Sequence, residues 1–463
     1  MNIMMTNLAV AFASLSLVTN AIGTVDTVNK ANMYDYSQTI SESGERLSAS
    51  AINDKVRAYG SFGNTQGMPV SEYMDAMSYE WIEVSDLLPK DKSDQKADID
   101  LKKQYTYEEL VQIQLMLANS HEGIHLYNIG KSTAGAPMYA LDIDMTECAE
   151  EDKHIVLLTG QVHARESAGP TYILKELIDL VNDYDNGVER AVKALYNTRF
   201  VAVACVNPDG HDGIGFDVKN WTYKDGLLWK ATSNGTDLNR NFPGLSWMQL
   251  KKGVKATQYK SSTPDKIYYW GDYAGSCNET KAMMKFYQYF VGVEGAEMLI
   301  DYHQQGRITY AGKGYAPSDN NKLSEELRKA CYAAQTKGSL KSHYAYCYDD
   351  TEENYGLEGT GSTNTDYAWA VAMGAQFSTQ YGFSVHVDSE GNEYPLIMIP
   401  EYDKADVELR QMRSPEFRTL SWEIGSGRSY LGYTKDTLKL LEKEYYNYNF
   451  DEMLYTYVDV LNR

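Results

Sequence analysis

One stretch of this 463-residue chain decides its fold: Ile155-Val156-Leu157-Leu158-Thr159-Gly160-Gln161-Val162-His163-Ala164-Arg165-Glu166. The apolar run at its start is typical of a β-strand that is buried on both faces. His163 and Glu166 follow that strand, and both residue types are common zinc ligands. In a parallel α/β sheet, side chains just beyond the strand ends meet at the edge where such proteins place their sites.

A third metal ligand is expected from a second apolar stretch. His303 ends the run Glu297-Met298-Leu299-Ile300-Asp301-Tyr302-His303, so it would emerge at the same edge of the sheet. Two histidines, one carboxylate and an open fourth position are typical of a hydrolytic zinc site, which lowers the pKa of water to about 7. A lone histidine in such a place is more often a core residue. Its occurrence with the His163 and Glu166 pair favours one bound Zn²⁺ ion.

A hydrolytic metal site also needs a base beside it. Glu423 closes another strand-like segment, Phe417-Arg418-Thr419-Leu420-Ser421-Trp422-Glu423. It is the candidate general base, because a carboxylate at this strand end would face the metal. The alternative interpretation is a buried carboxylate in a structural hydrogen-bonded pair.

Two further segments stand between these strands, Asn207-Pro208-Asp209-Gly210 and Asp237-Leu238-Asn239-Arg240-Asn241-Phe242. With the histidine, glutamate and strand-end motifs, they occur in the order found in the zinc carboxypeptidase family of the carboxypeptidase A type. The chain resembles that family over residues 105–433. About one hundred residues before them lie outside the resemblance.

The resemblance implies a role for each matching residue. A planar guanidinium binds a carboxylate through charge-assisted, often bidentate hydrogen bonds, which would place the cleavage point one residue from the end of a substrate. The implied roles are His163, Glu166 and His303 as zinc ligands, Glu423 as general base and acid, Arg165 as the group that polarises the scissile carbonyl, and Asn239 and Arg240 as the grip on the terminal carboxylate.

Lys230 departs from the pattern of digestive relatives, which carry an arginine here that stabilises the oxyanion. Lysine supplies the charge but not the planar fork. Together with the sequence His303-Gln304-Gln305-Gly306, this lysine is more similar to bacterial relatives that trim cell-wall peptides. The expected substrate is therefore a peptide or a cell-wall peptide.

The composition of the chain limits the kinds of partner that we expect it to bind. A formal net charge of −21 and a pI of about 4.8 exclude a nucleic acid as the expected partner, because phosphate backbones repel an acidic surface. Hydrophobic residues make up 43% of the chain, enough for a large core. No segment after the first residues approaches twenty consecutive apolar positions, so we expect no stable membrane insertion, and we expect a monomer.

The N-terminal region predicts export. Residues 1–23 contain an apolar stretch followed by small residues, typical of a secretory signal, although Lys and Arg are absent ahead of it. A buried N-terminal helix is the alternative. Residues 24–103 are polar and end in a charged linker, and they form either a pro-segment or an ordinary extension. Residues 104–463 are the predicted catalytic domain of a secreted, extracellular protein.

Helix-like and strand-like patterns alternate from Tyr107 onward. Such alternation predicts an α/β fold with a mixed, largely parallel central sheet and helices on both faces. The predicted helices cover residues 108–118 and 171–183, the second with Pro170 at its start. The predicted strands cover residues 138–143, 154–158, 199–206, 297–302 and 418–422.

A second zinc motif also occurs, because His121-Glu122-Gly123-Ile124-His125 matches HExxH. That motif requires a helix, which places its histidines one turn apart on one face. Gly123 separates them and is better interpreted as the stop of the preceding helix, with His121 in the last turn. The motif therefore predicts a helix end and not a metal site.

Together these features predict a zinc metallocarboxypeptidase, in which a zinc-activated water attacks the last peptide bond with Glu423 as general base. A cell-wall peptidase that cuts muropeptides by the same chemistry is one alternative. A catalytically inactive family member that binds peptide or glycan ends is another, although pure binding gives no chemical need for Glu423.

Overall fold

The computed structural model describes residues 81–84, 96–215, 230–241, 269, 271, 276–304, 308–311, 318–336, 344–346, 382–387, 393–398, 418–424 and 435–463. Its strands are β1 (Ile82–Glu83), β2 (Ile124–Lys131), β3 (Pro137–Ile143), β4 (His154–Gly160), β5 (Thr198–Val203), β6 (Met298–Gln304), β7 (Ile308–Ala311), β8 (Tyr344–Tyr346), β9 (Gly382–Val387), β10 (Glu393–Met398) and β11 (Arg418–Ile424). Its α-helices are α1 (Tyr107–Ala118), α2 (Ala168–Asp185), α3 (Glu189–Asn197), α4 (Pro208–Gly215), α5 (Asn278–Tyr287), α6 (Ser318–Thr336), α7 (Lys435–Asn447) and α8 (Met453–Leu461). A π-helical turn, Gln288–Val293, continues α5, and 3₁₀ turns occupy Glu150–Asp152, Leu238–Arg240 and Phe450–Glu452.

Nine of the described strands form one mixed sheet in the order β1-β2-β3-β5-β4-β6-β11-β7-β8. The central strands β5, β4, β6 and β11 are parallel to one another, whereas the pairs β1–β2, β2–β3, β3–β5 and β11–β7 are antiparallel. Strands β9 and β10 pair separately as an antiparallel ladder. The mixed α/β fold predicted from the sequence is confirmed.

Both faces of the central strands are buried. Every residue of β6 is buried, and only His154 of β4 is partly exposed. Alternate side chains such as Val156 and Ile300 belong to a large apolar cluster with α1, α2 and α8, whereas Leu157 and Leu299 lie on the opposite face and are equally buried. Continuous burial explains why these strands are nearly all apolar in sequence.

The element boundaries differ slightly from the predicted ones. Helix α2 begins at Ala168, three residues before the predicted start, and Pro170 lies in its first turn, where the missing N–H has no helical partner in any case. Strand β5 ends at Val203 and not at Val206, although Val206 N still donates to Gly160 O at 2.9 Å. The chain therefore stays against β4 beyond the ladder.

The HExxH sequence is not helical, as predicted. However, the predicted helix stop at Gly123 is wrong, because α1 ends at Ala118 and the backbone of Asn119 caps it by donating to Leu115 O at 3.0 Å. His121 lies beyond the helix, 2.8 Å from Asp185, and His125 lies in β2. The two histidines thus belong to different elements.

Part of the region before residue 104 joins the sheet. Ile82 and Glu83 pair with β2, and the Trp81 ring stacks 5.6 Å from Phe290. Ile99 is also buried in the core. The expected signal, residues 1–23, lies outside the described residues, and the domain boundary at residue 104 stays a prediction. None of the described helices has the length and hydropathy to span a membrane.

Deletion of residues 1–95 should destabilise the protein relative to deletion of residues 1–80. The longer deletion removes β1 and the stacked Trp81 and exposes the edge of β2, and burial of one large apolar side chain contributes roughly 1.5–3 kcal/mol. Urea denaturation of the two truncated proteins measures the difference. Equal free energies of unfolding would show that this segment is dispensable to the fold.

Candidate metal centre and substrate-binding site

Three predicted ligands converge at the carboxyl ends of neighbouring strands. His163 and Glu166 lie in the turn after β4, and His303 is the penultimate residue of β6. One ligand atom from each lies within 4.8 Å of the others, and all three side chains are buried. The Nδ1 atoms of both histidines face Glu166 at 2.9 Å, and they are 3.2 Å apart. Adjacency of β4 and β6 therefore brings together residues that are 140 positions apart.

Each histidine is backed by a second carboxylate. His163 Nε2 lies 3.2 Å from Asp237 Oδ1, and His303 Nε2 lies 2.6 Å from Asp301 Oδ2. Thr159 on β4 donates to the other oxygen of Asp301 at 3.0 Å. A carboxylate at one ring nitrogen keeps the proton there and directs the lone pair of the other nitrogen to a metal. Both rings are thus oriented with Nδ1 toward the shared centre.

The donor set fits a divalent cation. Two imidazole nitrogens and a carboxylate meet here within 4.8 Å of one another. Ligands at about 2.0–2.1 Å from a tetrahedral zinc would lie roughly 3.3 Å apart, so these separations are of the right order. Burial raises the pKa of Glu166, but the charges of His163 and His303 outweigh it and hold that pKa well below its usual range. The carboxylate is therefore ready to bind a cation, which would replace imidazole protons.

The turn that carries His163 is held by Gln161. This residue has φ +53°, a left-handed conformation that is uncommon for a residue with a side chain. Its side-chain Nε2 donates to Ala164 O at 3.0 Å, and its Oε1 lies 2.7 Å from His211 Nδ1. Cys205 Sγ also contacts Oε1, at 3.4 Å. These contacts fix the direction in which the chain leaves β4.

The Asn207 to Gly210 segment packs directly on the same turn. Asn207 Nδ2 donates to Val162 O at 3.4 Å, and a Cβ atom at Gly210 would lie 2.5 Å from the Cβ of Ala164. Only glycine permits this approach of α4 to the ligand turn. The Asn-Pro-Asp-Gly motif is therefore explained by close packing beside the ligands.

The segment around Arg240 is joined to the metal centre through Asp237. The Asp237 carboxylate accepts from Asn239 N at 3.0 Å, which caps the 3₁₀ turn, and the same Oδ1 faces His163. Burial by itself raises the pKa of Asp237, but the charges of His163 and Arg240 outweigh that effect. The pKa therefore lies below its usual range, and the group is ionised. Asn239 and Arg240 are both buried, and Arg240 Nη1 donates to Asn239 O at 2.9 Å.

Lys230 contacts the turn between His163 and Glu166, and Arg165 belongs to that turn. The backbone oxygen of Lys230 accepts from Ala164 N at 3.1 Å, and Arg165 Nε lies 3.7 Å from Glu166 Oε1. Burial, followed by the charge of Arg165, lowers the pKa of Lys230, although Glu166 opposes this. Two cationic groups therefore lie beside the three converging ligands.

Glu423 is placed by the parallel pairing of β6 and β11. Its register partner is His303, and its side chain is partly exposed. Burial raises the pKa of Glu423 to about 7, and the charge of His303 opposes that rise. A carboxyl group with such a pKa can both accept and donate a proton near neutral pH.

Asp237, Asp301 and Thr159 were not among the site residues expected from the sequence. Asp301 could have been found, because it stands two positions before His303 and side chains two apart share one face of a strand. Asp237 lies within the quoted Asp-Leu-Asn-Arg-Asn-Phe motif. The contact of Thr159 depends on the pairing of β4 with β6, which the sequence does not specify.

The chain is similar in sequence to proteins of known identity. Carboxypeptidase N catalytic chain of Homo sapiens is 25% identical over 239 residues, which cover 49% of this chain and 50% of that protein. Carboxypeptidase B2 of Bos taurus is 25% identical over 267 residues, 58% of this chain and 59% of that protein. This chain thus spans only about half the length of these curated relatives.

Solved structures share the fold. Bovine thrombin-activatable fibrinolysis inhibitor, in complex with tick carboxypeptidase inhibitor, superposes with a TM-score of 0.50 at 18% identity, over 78% of this chain and 98% of that one. A crystal structure of thrombin activatable fibrinolysis inhibitor gives a TM-score of 0.52 at 17% identity, over 82% and 77% of the two chains. The family model described as zinc carboxypeptidase matches residues 111–404. This match covers the strands from β2 to β10 and the turn after β4, and the chain belongs to the zinc carboxypeptidase family.

Proposed function

We propose that this protein is a zinc-dependent carboxypeptidase that releases the C-terminal residue of a peptide. One observation supports this function above all: the buried nitrogens of His163 and His303 converge with Glu166, while Glu423 is paired in register with His303. Three ligands and an adjacent carboxyl group are the minimum set for hydrolysis at a metal centre. A binding protein would need no such base.

His163, Glu166 and His303 would hold one zinc ion, with Asp237 and Asp301 orienting the two imidazoles. When bound, the ion would supply an activated water and polarise the carbonyl oxygen of the scissile bond. The protein contributes the buried position of the ligands and the fixed ring orientations. Both features favour metal binding, because little ordering is then required when the ion enters.

Glu423 would perform the proton transfers. As general base it accepts a proton from the attacking water, and as general acid it passes that proton to the leaving amine when the C–N bond breaks. Partial burial and a pKa near 7 suit both steps. Arg165 and Lys230 would stabilise the negative charge that develops on the carbonyl oxygen, since both are cations beside the ligand turn.

Asn239 and Arg240 would bind the terminal carboxylate of the substrate. Their turn is tied to His163 through Asp237, so the distance from the anchor to the metal centre is set by one short, buried segment. An anchor at a fixed distance from the reacting centre selects the last peptide bond. Endopeptidase activity is therefore not expected.

We propose that the catalytic domain spans residues 104–463 and that the protein is exported, with residues 1–23 as signal and residues 24–103 as an extension or pro-segment. The pairing of Ile82–Glu83 with β2 supports the view that at least this part of the extension stays with the domain. Removal of a pro-segment would then take place before residue 81.

The direct test is mass spectrometry of products from the full-length protein incubated with linear peptides and with muropeptides, each with and without a zinc chelator. Chelator-sensitive loss of single C-terminal residues from linear peptides is the expected result. Cleavage of muropeptides alone would replace the peptide substrate with a cell-wall substrate. Absence of any cleavage, after zinc loading and removal of residues 1–80, would contradict the enzymatic function.

Asp301→Asn and Asp237→Asn should each weaken zinc binding by roughly 10–100-fold, because an orienting carboxylate is lost from a ligand histidine. Competition with a chromophoric chelator measures the dissociation constant. Glu297→Gln is the matched control, since Glu297 forms the same kind of carboxylate–histidine contact with His154, 2.6 Å away at the opposite end of the sheet. Equal affinity in all three variants would contradict the orienting role.

Glu423→Gln should abolish peptide hydrolysis while it leaves zinc affinity within about twofold of wild type, because loss of a general base costs roughly 10²–10⁴ in rate. Single-turnover kinetics and metal content measure the two properties. Ser421→Ala is a suitable control, two positions earlier on the same strand and also buried. A Gln variant with residual activity near wild type would assign the proton transfers to another group.

Arg240→Lys should raise KM for peptides with a free C-terminal carboxylate, because a bidentate contact is replaced by a point charge. The ratio of kcat/KM for free-acid and C-terminally amidated forms of one peptide should fall by about tenfold. Lys193→Arg, an exchange on the surface of α3, serves as the control. An unchanged ratio would mean that the anchor lies elsewhere.

A further inference from the structure

The carboxyl ends of β6 and β11 also carry buried side chains on the face opposite to the candidate site. Tyr302 precedes His303 on β6, Trp422 precedes Glu423 on β11, and these two residues are also register partners. Successive side chains of a strand point to opposite faces, so Tyr302 and Trp422 extend away from the metal centre. Both are fully buried. Their contacts therefore link β6 and β11 on the face of the sheet opposite to His303 and Glu423.

A single hydroxyl group on α8 contacts both strands. Trp422 Nε1 donates to Tyr457 Oη at 2.9 Å, and the Tyr302 and Tyr457 hydroxyls are 3.2 Å apart. Tyr302 Oη in turn donates to Glu176 Oε2 on α2 at 2.7 Å. The donors run in one direction, from Trp422 through Tyr457 and Tyr302 to Glu176. In this arrangement each hydroxyl both donates and accepts.

The hydrogen-bonded network lies in a dry aromatic core. Phe450 packs against Trp422 and Tyr302, with ring centroids 5.3 and 6.4 Å away. Burial raises the pKa of Glu176 well above its usual range, which reduces the charge at the end of the chain of donors. Aromatic packing alone permits small sliding motions, whereas hydrogen bonds have narrow ranges of distance and angle. The hydrogen bonds of the Tyr457 hydroxyl thus restrict the positions of Trp422 and Tyr302 more closely than the ring packing does.

We propose that Tyr457 is a positioning residue, whose hydroxyl adds a side-chain link to the backbone ladder of β6 and β11 and so steadies Glu423 against the proposed metal ligand His303. This inference rests on the proposed hydrolytic function. His303 is also held on its other side by the pairing of β6 with β4 and by Asp301, which Thr159 binds. Glu423 is held on its other side by the pairing of β11 with the shorter strand β7, where Ile308 is its register partner. Loss of the clamp should therefore displace the base more than the ligand.

Tyr457→Phe tests the clamp, because it removes the hydroxyl and keeps the ring. We expect kcat to fall by roughly tenfold or more, since displacement of a catalytic group by about 1 Å can cost 10²-fold. KM and the dissociation constant for zinc should stay within about twofold, since the ligands and the carboxylate anchor are untouched. Amide hydrogen exchange in β11 should become faster.

Tyr455→Phe is the matched control on the same helix. Its hydroxyl donates to Asp183 on α2 at 2.8 Å, and its ring lies under Arg190, away from β6 and β11. This variant loses one tyrosine hydrogen bond but should keep wild-type kcat and wild-type exchange in β11. Both variants are compared at a temperature where urea titration shows each to be folded.

Equal kcat values for Tyr457→Phe and Tyr455→Phe would overturn the positioning role. A wild-type protein that hydrolyses nothing would instead contradict the proposed function, and hydrogen exchange would still test the clamp, because unchanged exchange in β11 overturns it without reference to activity. If Tyr457→Phe does not fold, Tyr302→Phe removes the link from β6 to the same hydroxyl. It should then lower kcat with unchanged KM, and wild-type kcat would overturn the inference.

Discussion

The parallel alignment of β4, β6 and β11 is the constraint on which the rest of the site depends. Backbone hydrogen bonds between these strands bring three parts of the chain to one edge of the sheet: the turn after Gly160, His303 and Glu423. These parts are far apart in the sequence. The carboxyl ends of neighbouring parallel strands lie along one edge of a sheet, and the backbone hydrogen bonds set the distance between the strands.

Charges inside a dry sheet edge have to be balanced. Three buried carboxylates, those of Glu166, Asp237 and Asp301, lie within 3.2 Å of the ring nitrogens of His163 and His303. The cationic residues Arg165, Lys230 and Arg240 are nearby. Unpaired buried charges would cost several kcal/mol each. The arrangement instead gives each imidazole one carboxylate at Nε2, which leaves Nδ1 for a cation. The same contacts that stabilise the fold therefore prepare the ligands.

The two faces of the sheet carry different kinds of side chain at the ends of β6 and β11. On one side the strand ends carry His303 and Glu423 of the candidate site, and on the other Tyr302 and Trp422 share the hydroxyl of Tyr457. A strand alternates its side chains, so a residue that is needed for chemistry is always next to one that is needed for packing. The last helix of the chain is in this way connected to the reacting residues, although it contributes none of them.

Much of this could be predicted from the sequence by itself. The continuous apolar runs before His163, at His303 and before Glu423 predicted buried strands of a largely parallel sheet, and the His-x-x-Glu spacing predicted a candidate metal site. The sequence did not show that Asp301 backs His303 through Thr159, or that Trp422 and Tyr302 meet at Tyr457. Those contacts depend on strand order, register and helix docking, which arise from packing between residues 35 to 155 positions apart. Local patterns specify elements and candidate residues, whereas the tertiary structure decides which of them share a hydrogen bond.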